Sequence, residues 1–402
     1  MKKNTQLVIH LIIVWMCLTS TAPFIFYLWP FHPYKLLTFA CLAVMSLLMI
    51  RRKNVYLSKK LVIVFLIQII YFLVISVIFS VYKNINICVQ LIACLIIIAY
   101  IESYIGFNVF ARSYIYIIIF MGIGGCITYF AHVLIGINPI FEVQYSEIGY
   151  GSKTYFLGLT STNVYVNRNG IRFIRFSGFF DEPGAFALYA IFALLINKTI
   201  FNNKRYEIIL IVTTLFAFSL AFYVFLFIYI ILFYFRLVNI KYFIIPVLLL
   251  TIILIQLNRY SSDNQIINNI NNFTLKRFTA TDEKSILSGG SRSTKQKNDR
   301  LIFLDNPYWG IPDKSKVNGS NVFSTLAGHG ILGSMFYYLL LLYFVYLILK
   351  KSITFKDASI YLKVFFLIII NFYHRPGFMD SFIVISVYVI ISKLEQISFR
   401  NM

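Results

Sequence analysis

Twelve apolar runs organise this chain, separated by short polar connections and two long polar stretches. The runs are Leu7 to Leu28, Tyr34 to Ile50, Leu61 to Val81, Ile85 to Tyr100, Tyr114 to Ile135, Gly184 to Ile196, Ile208 to Leu220, Ala221 to Phe235, Tyr242 to Leu257, Val322 to Leu349, Ile360 to Tyr373 and Phe378 to Ile391. A helix that crosses a bilayer needs roughly 20 mostly apolar residues. The pattern therefore predicts an all-α, polytopic integral membrane protein of about 12 transmembrane helices, several of them short, forming one transmembrane domain over 1–402.

Ile208 to Phe235 is one 28-residue run unbroken by any charged residue and reads either as one long helix or as a hairpin of two short ones. Charge decides between them. The connections at 51–60, 197–207, 236–241 and 350–363 are rich in Lys and Arg, and short basic connections stay in the cytoplasm. A hairpin with its tip near Ser219 puts all of them inside, together with both termini. The short outer connections then hold only Lys35, Lys83 and Arg375. Two long loops face outward, 136–183 and 258–321. The second carries ten Lys/Arg and six Asp/Glu, which is tolerated because long loops translocate largely regardless of charge. Its stretch from Ser261 to Asn272 is rich in Asn and Ser and reads as partly disordered. No small-residue cleavage site follows the first run, so that run reads as a retained helix.

Composition supports the membrane reading. Hydrophobic residues make up 59%, charged residues 13%, and mean hydropathy is +0.79. A soluble domain is nearer half apolar and a quarter charged, so a soluble enzyme, a disordered regulator and a coiled coil are excluded. The formal charge of +21 does not signal a nucleic-acid partner, because the basic residues sit between apolar runs rather than on one soluble face. All five cysteines (Cys17, Cys41, Cys88, Cys94 and Cys126) lie inside apolar runs and read as small packing residues. The sequence has no phosphate-binding GxxxxGK[ST], no HExxH and no Asp-x-Asp, so no metal and no cofactor is expected. Asn197-Lys198-Thr199, Asn272-Phe273-Thr274 and Asn318-Gly319-Ser320 match the short glycosylation sequon.

Candidate chemistry gathers at the outer ends of the runs. Arg172-Phe173-Ile174-Arg175-Phe176-Ser177-Gly178-Phe179-Phe180-Asp181-Glu182-Pro183-Gly184 places two arginines and two carboxylates where the first loop re-enters the membrane. Asp181 or Glu182 suits a helix cap ahead of Pro183, but capping does not account for two arginines. An arginine fork suits phosphate or carboxylate. A carboxylate kept ionised by an arginine can take a proton from a hydroxyl. Ser288-Gly289-Gly290-Ser291-Arg292 and Asn306-Pro307-Tyr308-Trp309-Gly310 lie in the second loop. His329 lies about two turns into the run after it, within Leu326-Ala327-Gly328-His329-Gly330-Ile331-Leu332-Gly333. It reads either as an ionisable group with a function or as a donor to a neighbouring carbonyl. His374-Arg375-Pro376-Gly377 occupies an outer turn and equally suits a helix end.

These motifs resemble bacterial O-antigen polymerases and the wider O-antigen ligase-like superfamily. The resemblance implies a multi-helix protein in the bacterial inner membrane. Its substrate would be an oligosaccharide on undecaprenyl diphosphate, and it would join repeat units at the periplasmic face, with a chain-length regulator as a candidate partner. Arg172, Arg175 and Arg292, with Arg375 as a further candidate, would hold the donor diphosphate. Glu182 would be the general base, with Asp181, His329 and His374 as alternatives. The ligase branch carries His-Asn where this chain reads Ser320-Asn321, which favours polymerase over ligase. The superfamily often carries Ser-Arg at the middle hairpin tip, where this chain reads Ser219-Leu220. A ligase and a flippase for the same lipid-linked sugars are the rival readings.

Overall fold

A computed structural model describes residues 40, 42–48, 59–79, 83–144, 151–155, 160–166, 172–178, 180, 183–234, 290–311, 316–317, 321, 323–350, 353–374 and 381–400. The runs at 7–28 and 242–257, part of that at 34–50, and the second long loop up to residue 289 lie outside the described residues. Helix predominates. The helices are α1 (Lys59–Ile78), α2 (Lys83–Tyr100), α3 (Phe107–Ile135), α4 (Pro183–Ile196), α5 (Lys204–Leu215), α6 (Leu220–Tyr234), α7 (Gly290–Asp305), α8 (Ser324–Leu349), α9 (Phe355–His374) and α10 (Ser381–Arg400). A π-turn extends α2 over Ile101–Ile105, and a second extends α4 over Asn197–Phe201.

Among the described residues, five stretches are long and apolar enough to cross a membrane: Leu61–Ile78, Ile87–Ile105, Phe107–His132, Pro183–Phe201 and Ser324–Leu349. In α1, Phe65, Gln68, Ile69, Phe72, Ile75 and Ser76 are buried, at the 3-4 spacing of a helix face. The opposite face exposes Ile63, Leu66, Ile67, Ile70, Val74 and Val77. A helix apolar on its outer face as well belongs in lipid.

The chain forms two compact units. One comprises Met1–Ile117, Leu195–Asn203 and Arg292–Met402; the other comprises Ile118–Leu194 and Lys204–Ser291. In the first unit, α8 packs on α1, α9 and α10, and α2 packs on α1 and α10. Polar bonds stitch these apolar faces together. Gln68 Nε2 donates to the Gly333 carbonyl (2.7 Å), Tyr343 donates to Glu395 (2.7 Å), and Tyr388 donates to Glu102. Asn197 is fully buried, with its side-chain amide bonded both ways to the Asn203 backbone. That sequon match is therefore a structural asparagine.

The second unit contains an element the apolar pattern did not predict. Between α3 and α4 the first long loop folds into a four-stranded antiparallel meander: β1 (Phe141–Gln144), β2 (Gly151–Tyr155), β3 (Thr160–Val166) and β4 (Arg172–Gly178). Glu142 pairs with Lys153, and Asn163 with Arg175, with a register shift at Ser161/Thr162. The run at 208–235 is broken, as the charge pattern predicts. α5 stops at Leu215, residues 216–219 turn, and α6 begins at Leu220.

Candidate functional site

β4 delivers the arginine-rich motif into the second unit. Its last four residues, Arg175 to Gly178, are all buried, so both faces of the strand are covered there. Phe176 packs against Phe186 of α4, with ring centroids 5.1 Å apart. Beyond it, Gly178 adopts φ 62°, a left-handed value that glycine reaches without penalty, and Phe180 N–H closes a turn on the Ser177 carbonyl (3.0 Å). Phe180 is buried and stacks on Tyr189 (4.3 Å, 10°). The strand-to-helix passage is thus pinned on both sides of residues 181–182. Asp181 and Glu182 themselves lie outside the described residues, as does Arg375.

Arg175 is only 5% exposed. Its Nε donates to the Ala217 carbonyl (3.4 Å) in the turn between α5 and α6. A cation at the C-terminal end of α5 meets the negative end of that helix's dipole, so the contact is stabilising in itself. The turn is a constrained one. Phe218 sits at φ 48°, which costs a bulky residue about 1–3 kcal/mol. An aromatic cluster holds it there: Phe218, Tyr129, Phe130 and Phe216 lie with ring centroids 5.1–6.4 Å apart. Tyr223 donates to the Leu215 carbonyl (2.8 Å). The hairpin tip lacks the arginine that the family resemblance led us to expect, but Arg175 brings a guanidinium to it from the sheet.

In the first unit, His329 lies where α8 is interrupted. Gly330 leaves helical geometry at φ 66°, ψ −175°. The segment after α7 fills the break. Ile331 N–H donates to the Pro307 carbonyl (2.8 Å), Leu332 N–H to Tyr308 (3.2 Å), and Ile311 N–H to the Ala327 carbonyl (3.0 Å). Two motifs read separately in the sequence, Asn306–Gly310 and Leu326–Gly333, are therefore one backbone-bonded assembly. His329 is partly exposed; its ring meets Phe72 edge-on (5.4 Å), and its carbonyl accepts from the Tyr71 hydroxyl (3.3 Å).

The sequence reading did not single out Asp299. It is fully buried on α7 and accepts from Asn321 Nδ2 (2.5 Å). Asn321 Oδ1 in turn accepts from Phe323 N–H (3.0 Å), and its carbonyl accepts from Ser324 Oγ (2.7 Å). The start of α8 is thus tied to a buried carboxylate. Phe303, one turn along α7, meets Phe323 (6.4 Å). The Asp299/Phe303 spacing is the signal that α7 carries an inward stripe.

Of the other sequence candidates, Arg172 opens β4, Arg292 lies in the first turn of α7, and His374 closes α9. Among the described residues, no group of three His, Cys, Asp or Glu is placed to hold a metal. No protein-family profile and no curated protein matches this chain.

Proposed function

We propose that this protein is a membrane glycosyltransferase that polymerises oligosaccharide repeat units carried on undecaprenyl diphosphate. In this reading it spans the bacterial inner membrane about 12 times, with both termini in the cytoplasm and the loops at 136–183 and 258–321 in the periplasm. The observation that carries the reading is the buried guanidinium of Arg175, on the strand leading to Asp181, Glu182 and α4. Burying a charge is costly, and an arginine fork suits a phosphate. A fixed cation in a water-poor site stabilises developing negative charge far better than one in water.

The reaction follows from these groups. The acceptor hydroxyl oxygen attacks the anomeric carbon of the donor sugar. Its proton passes to a carboxylate, Glu182 in the first instance, with Asp181, His329 and His374 as alternatives. The bond from carbon to the diphosphate oxygen breaks, and undecaprenyl diphosphate leaves with the electron pair. Arg175 and Arg172, on the strand that leads to Glu182, neutralise that charge. Direct attack inverts the anomeric centre.

The surface-polysaccharide ladder of a deletion strain tests this. Loss of the protein collapses the ladder to one repeat unit. Wild type restores it, and Glu182→Gln at equal membrane level does not. A strain with no sugar bands at all points instead to a ligase or a flippase. The interruption of α8 at Gly330 favours the flippase as second reading, because broken helices line transport sites. The break lies about two turns from one end of α8 rather than at its middle. Lipid scrambling without new glycosidic bonds in vesicles would establish that alternative.

A further inference from the structure

The segment at 306–311 is non-helical backbone packed alongside α1 rather than beyond its end. It lies beside Tyr71, seven residues before the end of α1, which is roughly 10 Å down that helix at 1.5 Å per residue. Irregular backbone at such depth is tolerated only where protein buries it or it faces a water-filled cavity. α8 satisfies this backbone on one side. Yet Tyr308 is 63% and Trp309 50% exposed. Trp309 lies parallel to Tyr71, with planes 5° and centroids 5.9 Å apart, so one indole face is occupied and the other is open. The Tyr71 hydroxyl is itself tied to the His329 carbonyl.

We infer that the open face of Trp309 is a carbohydrate subsite, on which one sugar ring of the substrate rests with its C–H bonds against the electron-rich π face. The inference rests on the polymerase reading for the sugar's source: the lipid-linked oligosaccharide. Tryptophans that anchor a protein to the membrane sit at helix ends, at headgroup level. Trp309 lies below the end of α1, is stacked on one side, and has its backbone locked into α8. That is the rigidity of a platform, and it holds the ring next to His329.

The chain has three tryptophans. The full-length protein with Trp15→Phe and Trp29→Phe, in nanodiscs, makes Trp309 the sole reporter. The probe is the oligosaccharide released by mild acid from the host's lipid-linked pool. We expect a saturable change in Trp309 emission and weak quenching by brominated phospholipids. Emission that ignores the oligosaccharide overturns the inference; strong quenching by brominated lipid would then identify a membrane anchor. With purified lipid-linked repeat unit, Trp309→Ala raises KM roughly tenfold, as loss of one aromatic stack does for nucleobases. kcat changes far less, and Trp309→Phe falls between. An unchanged KM overturns the subsite and leaves the polymerase reading intact. A sugar-dependent emission change in a protein that makes no polymer does the reverse.

Discussion

Gly310 and Gly330 stand backbone to backbone, both in the left-handed region, at φ 68° and 66°. A Cβ on Gly310 would come within 2.5 Å of the His329 amide nitrogen, and one on Gly330 would collide with the Tyr308 carbonyl. The helix break beside His329 therefore exists because two side chains are missing. Neither glycine can be replaced by adjusting a neighbouring side chain, since the atoms in the way are backbone.

Gly330→Ala is expected to destabilise the protein by at least about 2 kcal/mol, from left-handed strain plus displacement of the 306–311 segment. Gly328→Ala is the control. It has helical geometry and only Val317 Cγ2, 3.9 Å away, near its Cβ position, so alanine there is neutral or gains up to about 1 kcal/mol. Thermal unfolding of both variants in the same detergent checks the contrast. Equal midpoints would remove the interlock as an explanation of the motif.

Arg175 separates structure from function. Arg175→Ala leaves the Ala217 carbonyl without its donor in a buried site, costing about 1–3 kcal/mol, and it removes the buried charge. Arg175→Lys keeps the charge and loses the planar fork. We expect alanine to abolish long polysaccharide chains and lysine to leave a shortened ladder, both normalised to protein in the membrane. A full ladder from Arg175→Ala would remove this residue from the chemistry.

Asp299 and Asn321 should be energetically coupled. Each single replacement by alanine strands a buried partner, so the two effects will not add. A double-mutant cycle should return a coupling of about 1–3 kcal/mol. The same bond fixes the backbone of α7, on which Arg292 lies, against the start of α8. Coupling near zero would mean that α7 is held by its other contacts, such as Phe303 with Phe323.

The sequence makes the membrane helices legible because bilayer burial imposes long apolar runs on them, and the hairpin break at 216–219 legible because charge asymmetry demanded it. The details of the turn were hidden. Phe218 at φ 48° runs against local preference and is held by aromatic rings distant in sequence. The sheet was hidden because β2 reads Gly-Ser-Lys-Thr-Tyr, with no apolar alternation. Asp299 was hidden among the mixed charges of its loop, since its burial depends on Asn321, 22 residues later. The glycines at 328, 330 and 333 are visible in the sequence, but their spacing does not say what approaches them. Gly330 serves a crossing of backbone by backbone.

Phe176 and Gly125 offer a test of how the strand bearing Arg175 is held. Gly125 on α3 leaves room for the ring: a Cβ there would fall within 2.6 Å of Phe176 Cγ. Phe176 is fully buried and has Phe186 on another side, so it cannot withdraw. Gly125→Ala therefore overpacks the joint and should cost about 1–3 kcal/mol. The shift falls on the residue next to Arg175, so polymer length should fall before the protein unfolds. Phe176→Leu alone opens a cavity and is also destabilising. Combined, the added methyl and the smaller side chain compensate, and the double variant should be more stable than the sum of the two losses. Strict additivity in thermal unfolding would show that α3 and β4 do not bear on each other at this point.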